Sequence, residues 1–372
     1  MPATRVKRGG LPVQRDRNAR TIEGGTAHHM KRLLALAFIS VLMATNTACG
    51  NLGGLGGPSV KIGLVTDVGG LNDKGFNSLA NQGRLDAAKD FGVETSVTES
   101  KKQEDYVPNL TNYAQQNYDL VVGVGFLMTN SIWKVAKQFP NIKFALIDGA
   151  PANDKGDTEN LPNVANLFFK EQEPGYVVGV IAAMMAKDKV GKATHNTVCS
   201  MGGIPIPSVD RWIAGYQDAV KTISPTTTIL HGYSNDFVDQ AKGKEVGLNH
   251  ISKGCDILFQ VAGGSGLGYI AAAKEKGVYA IGVDADQSDV APGTVITSAL
   301  KRVNKAVYDT VKAVKDKAYK AGDNFFSATN DGIGIGKVDP VVPANIKTAA
   351  DQALADIKSG KIKPKTEIQV KG

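Results

Sequence analysis

From residue 60 onward the chain alternates short apolar runs with amphipathic stretches, and that alternation leaves few architectures open. The runs at 60–66, 93–98, 120–123, 144–148 and 164–168 read as strands. The stretches between them at 75–91, 106–116 and 130–139 read as helices. In the first of these, Phe76, Leu79, Ala80, Gly83, Ala87 and Phe91 recur on one face. Strands that are apolar throughout, alternating with helices, imply a parallel sheet covered on both faces. The pattern restarts with a helix at 175–187. Strands at 197–202, 226–232, 257–262, 279–283 and 295–298 follow, with helices at 209–221, 239–253 and 268–276. Long amphipathic helices at 302–320 and 343–361 and a short strand at 367–370 complete the chain. The expected class is α/β, with two doubly wound parallel-sheet lobes. The pattern alone places the lobes one after the other, with no return of the chain.

Composition agrees. Of 372 residues, 42% are hydrophobic and 21% charged, with 3 Cys. These values exclude disordered, collagen-like and disulfide-scaffold classes, and the length suits two domains. The one long apolar run, at 33–44, is interrupted only by Ser40, so a multispan membrane protein is excluded. The net charge of +7 is local. Residues 1–32 hold eight of the 43 basic residues and two of the 36 acidic ones, which leaves the rest at about +1. The folded part therefore carries no electrostatic footprint for nucleic acid.

Met30-Lys31-Arg32, the apolar run and the small residues ending Thr47-Ala48-Cys49 follow the tripartite plan of a secretory signal peptide. Met30 is read as the true start, with residues 1–29 an extension. Cys49, between Ala48 and Gly50, stands as at a bacterial lipoprotein cleavage site, where the thiol is lipidated; Asn46 occupies the usual Leu position. Residues 1–49 thus form a leader, and the Gly-rich stretch at 50–58 a flexible tether. The expectation is an exported protein held to the cell membrane by a lipid on Cys49. Export permits a disulfide between Cys199 and Cys255. Their strands are neighbours in a doubly wound sheet, but Cys199 is read near the end of its strand and Cys255 near the start of its own, which argues against a bond. His195, His231 and His250 are scattered and read as surface residues, so no metal or cofactor is expected.

In open parallel sheets, ligands bind at the carboxyl ends of the strands. Asp67, Asp148, the run Gly263-Gly264-Ser265-Gly266 and Asp284 all stand at such ends. Two lobes meeting along these edges would form a cleft.

The segment Asp67-Val68-Gly69-Gly70-Leu71-Asn72-Asp73-Lys74-Gly75-Phe76-Asn77 resembles the Asn-Asp-Lys-x-Phe-Asn signature of the basic membrane protein family, nucleoside-binding lipoproteins that serve ABC importers. The resemblance continues in family order through Ala145-Leu146-Ile147-Asp148, Pro174-Gly175-Tyr176 and Gly202-Gly203-Ile204-Pro205-Ile206-Pro207. It resumes at Val261 to Gly268, Gly282 to Gln287 and Thr297 to Lys301, and so spans nearly everything from Lys61 to Lys361. It implies a type I periplasmic-binding-protein fold, with a first lobe of 59–165 and 302–325 and a second of 166–301 and 326–372. It also implies a monomer that captures a nucleoside, most readily a purine, and delivers it to permease subunits, with no catalysis.

By the same resemblance, Phe76 and Phe237 sandwich the base, one from each lobe. Asp148 accepts hydrogen bonds from base N–H groups, with Asn72, Asn77 and Asp67 beside it. Asp284 accepts from the ribose hydroxyls, Lys301 donates to the sugar, and the backbone at Gly264 and Ser265 approaches the ligand closely. The chemistry suits these residue types, since a nucleoside needs flat apolar surfaces and matched hydrogen-bond partners. Other readings exist. Gly266-Leu267-Gly268-Tyr269-Ile270-Ala271 satisfies a dinucleotide fingerprint, but deep in the second lobe rather than in a first βα unit. Asp67, Asp73, Asp148 and Asp284 could serve a nucleoside hydrolase, but they form no tight cluster in sequence. A sugar-binding relative of the same fold, or a nucleoside sensor without transport, would use similar residues.

Overall fold

The structure is a computed structural model and describes residues 59–371. The leader at 1–49, with Met30 and Cys49, and the tether at 50–58 lie outside the described residues. In the first lobe, strands β1 (Lys61–Thr66), β2 (Glu94–Glu99), β3 (Leu120–Val124), β4 (Lys143–Ile147) and β5 (Val164–Phe169) alternate with helices α1 (Phe76–Phe91), α2 (Tyr106–Gln115) and α3 (Thr129–Gln138). The second lobe opens with α4 (Gln172–Lys187), then β6 (Thr197–Gly202), α5 (Pro207–Ile223), β7 (Thr228–Tyr233) and α6 (Gln240–Ser252). It continues with β8 (Ile257–Val261), α7 (Gly263–Lys276), β9 (Tyr279–Asp284) and β10 (Val295–Lys301). Last come α8 (Val303–Lys315), β11 (Gly322–Phe326), β12 (Ile333–Ile335) and α9 (Ala344–Lys358).

Two six-stranded sheets result, in the orders β11-β5-β4-β3-β1-β2 and β12-β10-β9-β8-β6-β7. Every pairing is parallel except that of β10 with β12. Central strands such as β3, buried at every position, must be apolar on both faces because helices cover both sides. Helix α4 is buried almost all round because α5, α9 and β10 pack on it, so its sequence shows no polar face.

The lobes are not simply consecutive. Helix α8 returns to pack on α1, burying Val303, Ala306, Val307 and Val311. Strand β11 then joins β5 before the chain goes back to β10 through β12. Three crossings therefore link the lobes, between β5 and α4, β10 and α8, and β11 and β12. The strand that the sequence reading divides at residue 165 stays in the first sheet to Phe169.

Three local expectations are corrected. Residues 367–370 form no strand. The amides of Gln369 and Val370 donate to Gln217 Oε1, and Gln217 Nε2 donates to the Val370 carbonyl, so one side chain on α5 takes the place of a strand partner. Cys199 and Cys255 do form a disulfide, with Cα atoms 6.1 Å apart. Cys199 lies mid-strand, and the chain at Cys255 is still leaving α6, its amide donating to the His250 carbonyl, so Cys255 lies two residues before β8 begins. His231 and His250 are buried rather than exposed. Burial holds both imidazoles down, to about 4. The Nδ1 atoms lie 3.1 Å from Ser200 Oγ and 2.6 Å from Tyr269 Oη, respectively.

Candidate ligand-binding cleft

The facing edges of the lobes bound a tight cavity of about 70 Å³. Its first-lobe wall begins at the turn before α1. Asp73 organises that turn: its carboxylate accepts from the amides of Gly75, Asn77 and Ser78 at 3.0, 2.6 and 3.1 Å, which places a negative charge on the N-terminus of α1. Asn77 ties this cap to Asp67. Its Nδ2 donates to Asp67 Oδ1 (2.8 Å) and Asp73 Oδ2 (3.1 Å), and its Oδ1 accepts from the Asp67 amide. The turn thereby presents Phe76 and Asp67 to the cavity. Opposite them, Gly125 has φ +113°. A Cβ there would lie 2.9 Å from Asp67 Oδ2 and 3.5 Å from the Phe76 ring, so only glycine leaves room for both.

The second-lobe wall comes from α5 and the loops after β7, β8 and β9. Phe237 packs its ring on Gly203, where a Cβ would lie within 2.3 Å of ring carbons. Trp212, on α5, is fully buried yet lines the cavity. Asp284, at the end of β9, has φ +64° and turns its carboxylate toward Gly75 of the first lobe, with Oδ2 3.5 Å from where a Cβ would sit.

Charges form the floor. Lys301 Nζ, at the end of β10, donates to Asp148 Oδ2 at 2.5 Å and Glu171 Oε1 at 3.1 Å. Glu171 Oε2 accepts from Arg211 Nε at 2.6 Å. The ammonium also lies 5.1 Å from the Phe76 ring centroid and 4.9 Å from that of Phe169. Burial pulls Lys301 down, but Asp148, Glu171 and Asp284 together hold it above its ordinary value, so it stays charged. Burial raises Asp148 to about 6 against the pull of Lys301, and Asp67 to about 6 against its hydrogen bonds from Asn77 and Gly69. Burial lifts Asp284 to about 7, with Lys301 opposing and Asp148 and Asp73 adding to the rise. Asp148 Oδ1 is buried with no partner among the described residues. An unsatisfied buried acceptor facing a cavity is a place for a ligand donor. Buried Gln287 also donates through Nε2 to the Lys74 carbonyl at 3.1 Å, joining the lobes directly.

The family described as ABC transporter substrate-binding protein PnrA-like matches residues 60–370. The chain belongs to this family. An uncharacterized lipoprotein of Pyrococcus horikoshii is 33% identical, over 92% of this chain and 84% of that protein. A protein of Lactococcus lactis named ABC transporter nucleoside-binding protein BmpA is 29% identical, over 88% of this chain and 96% of its own. The crystal structure of an ABC transporter solute-binding protein from Aeropyrum pernix superposes with a TM-score of 0.74 at 28% identity, covering 82% of this chain and 92% of that one.

In this substrate-binding protein the cleft brings together Asp67, Phe76, Asn77, Asp148, Phe237, Gly264, Asp284 and Lys301 from the sequence reading. Two residues fall outside the lining. Asn72 is exposed, because the turn directs Asp73 inward instead. Ser265 is buried behind the wall, where its hydroxyl bonds the Asp236 and Ala262 carbonyls and fixes the loop that carries Phe237. Trp212, Phe126 and Val209 were not foreseen as lining residues. Trp212 sits at ordinary core spacing on an amphipathic helix, and nothing in the sequence separates it from a packing residue. Glu171 was likewise missed, since its role depends on Lys301, 130 residues away.

Proposed function

We propose that this ABC transporter substrate-binding protein captures a nucleoside, most readily a purine nucleoside, between its lobes and presents it to permease subunits as a monomer. The observation that carries the proposal is the pairing of Phe76 and Phe237, from opposite lobes, on one cavity that also holds an acceptor without a donor, Asp148 Oδ1. Phe76 and Phe237 supply flat apolar surfaces for the base. Asp148 accepts from a base N–H, and Asp67 supports that edge. Asp284 accepts from the ribose hydroxyls, and Lys301 donates to the sugar while keeping Asp148 in place. The name of the Lactococcus relative supports the ligand class, and the lipoprotein name of the Pyrococcus relative supports export with a lipid on Cys49.

Calorimetry against purine and pyrimidine nucleosides, free bases and pentoses tests the proposal. Saturable binding of nucleosides above bases and pentoses is the expected result. Binding of pentoses alone would overturn it in favour of a sugar-binding protein.

A further inference from the structure

Two buried glutamines, Gln260 and Gln287, run from the second-lobe wall to the first lobe. The Ala262 amide donates to Gln260 Oε1 at 3.0 Å. With its oxygen so committed, Gln260 turns Nε2 to Gln287 Oε1 at 2.8 Å. The Val283 amide donates to the same Gln287 oxygen at 3.1 Å. Two donors thus assign which end of the Gln287 amide is oxygen, and its Nε2 is left facing the Lys74 carbonyl at 3.1 Å. The relay has space made for it. A Cβ at Gly282 would lie 2.7 Å from Gln287 Oε1, and one at Gly266 would overlap Gln260 Oε1. The backbone N–H of Gln287 is in turn anchored on Ser298 Oγ of β10 at 2.9 Å.

The acceptor is fixed as firmly as the donor. The peptide between Lys74 and Gly75 holds its N–H on Asp73 Oδ1 at 3.0 Å. Across a trans peptide the carbonyl points the opposite way, so the Lys74 oxygen is directed out of the turn. Lys74 itself has φ +56°, and its side chain is exposed. The turn is the one that presents Phe76 to the cavity. Gln260, Gln287 and Lys74 do not themselves line that cavity.

We infer that Gln287 is a positioning residue for capture, a clasp that holds the turn before α1 only while the lobes are together and that touches no ligand. A hydrogen bond of 3.1 Å is lost when its atoms separate by about an ångström, so a modest opening breaks it. The bonds from Gln260 and Val283 lie within the second lobe and stay made. The clasp therefore favours the closed arrangement and slows the release of whatever the cleft holds. It rests on capture between closing lobes and not on the identity of the ligand.

The test is Gln287→Glu in the full chain. The change keeps the shape of the side chain and one oxygen for the Gln260 and Val283 donors, and sets a second oxygen against the Lys74 carbonyl. Gln287→Met removes the donor without adding charge, and decides the matter if the first variant does not fold. Release of adenosine and of inosine is followed by stopped-flow tryptophan fluorescence, and the ligand-free radius of gyration by small-angle scattering. In Gln287→Glu both nucleosides should leave faster by the same factor, at least ~10-fold, which corresponds to about 1.4 kcal/mol. Gln287→Met should change both rates in the same direction, and the ligand-free variants should be less compact than the wild type. Unchanged release, different factors for the two nucleosides, or equal radii of gyration would overturn the clasp and leave the nucleoside reading intact. If neither nucleoside binds the wild type, the nucleoside reading falls, and the radii of gyration alone decide the clasp.

Discussion

Lys301 of the second lobe and Asp148 of the first meet at 2.5 Å, and both are buried. The contact joins the end of β10 to the end of β4, so the floor of the cleft is one ionic unit shared by the two lobes. Removing one member of such a unit leaves an uncompensated charge in a site closed to water.

Lys301→Met is therefore expected to cost about 3–5 kcal/mol of stability near neutral pH, the range for breaking a buried pair. The loss should shrink in acid, as the stranded Asp148, already raised to about 6 by burial, takes up a proton. Urea denaturation at pH 8 and pH 5 measures both quantities. A loss independent of pH would mean that the ammonium acts as packing rather than as a counter-charge.

Phe76→Ala should weaken nucleoside binding by about 1–3 kcal/mol, the range for a base stacked on an aromatic ring. Gly203→Ala offers an independent check from behind the opposite wall. A methyl there cannot coexist with the Phe237 ring in its present position, so the ring must move toward the ligand space. Affinity should fall in both variants, with circular dichroism unchanged. Normal affinity in Gly203→Ala would show that the Phe237 ring is not held in a ligand-ready position.

Asp284 gives a pH dependence of definite sign. Its carboxyl group titrates near 7 when folded, against 3.8 ordinarily, so the folded protein holds the proton more firmly than the unfolded chain. The stability this provides is full below about pH 4 and is lost as pH rises through about 7. The ligand-free Asp284→Asn variant should therefore melt above the wild type at pH 8, and the difference should close toward pH 4. Comparing the two proteins cancels the opposing contribution of His231 and His250, whose depressed values remove stability in acid. A difference in melting temperature that does not change with pH would contradict the assignment.

The disulfide between Cys199 and Cys255 closes a loop with a sequence separation of 56. Chain-entropy reasoning puts its contribution at about 4 kcal/mol. It lies in the core cluster with Leu258 and Tyr269, and neither cysteine lines the cleft. Reduction should lower the melting temperature and leave nucleoside affinity at 25 °C within about two-fold. A large loss of affinity on reduction would tie the bond to the cleft instead.

Much of the scaffold was legible because its strands are covered on both faces, and such strands write themselves as apolar runs. The elements that escaped carry weaker signals. Strand β11, Gly-Asp-Asn-Phe-Phe, lies at a sheet edge and exposes alternate residues, and β12 has only three residues. The return of α8 to the first lobe left no mark in periodicity. Its apolar face would suit either lobe, and the close approach that selects one, Asn304 backbone against Gly83, joins residues more than 200 positions apart. In the cleft, carboxylates at strand ends could be anticipated from the βα pattern and aromatics from motif resemblance. The division of labour could not. Asn72 and Asp73 are adjacent and similar in character, and only the fold of the turn sends one outward and makes the other a cap.

The three crossings between the lobes have a mechanical consequence. Glu171 lies on the first crossing and Lys301 at the start of the second, so the ion pair between them sits close to any axis about which the lobes could rotate. Phe237 follows β7, at the edge of the second sheet opposite β10 and β12, which lead to those crossings. A small rotation would barely displace the ionic floor but would swing the Phe237 ring through a longer arc. The charged end of the cleft acts as a fulcrum and the aromatic end as the tip of a lever, so a ligand seated first on the floor would have only the outer wall left to draw in.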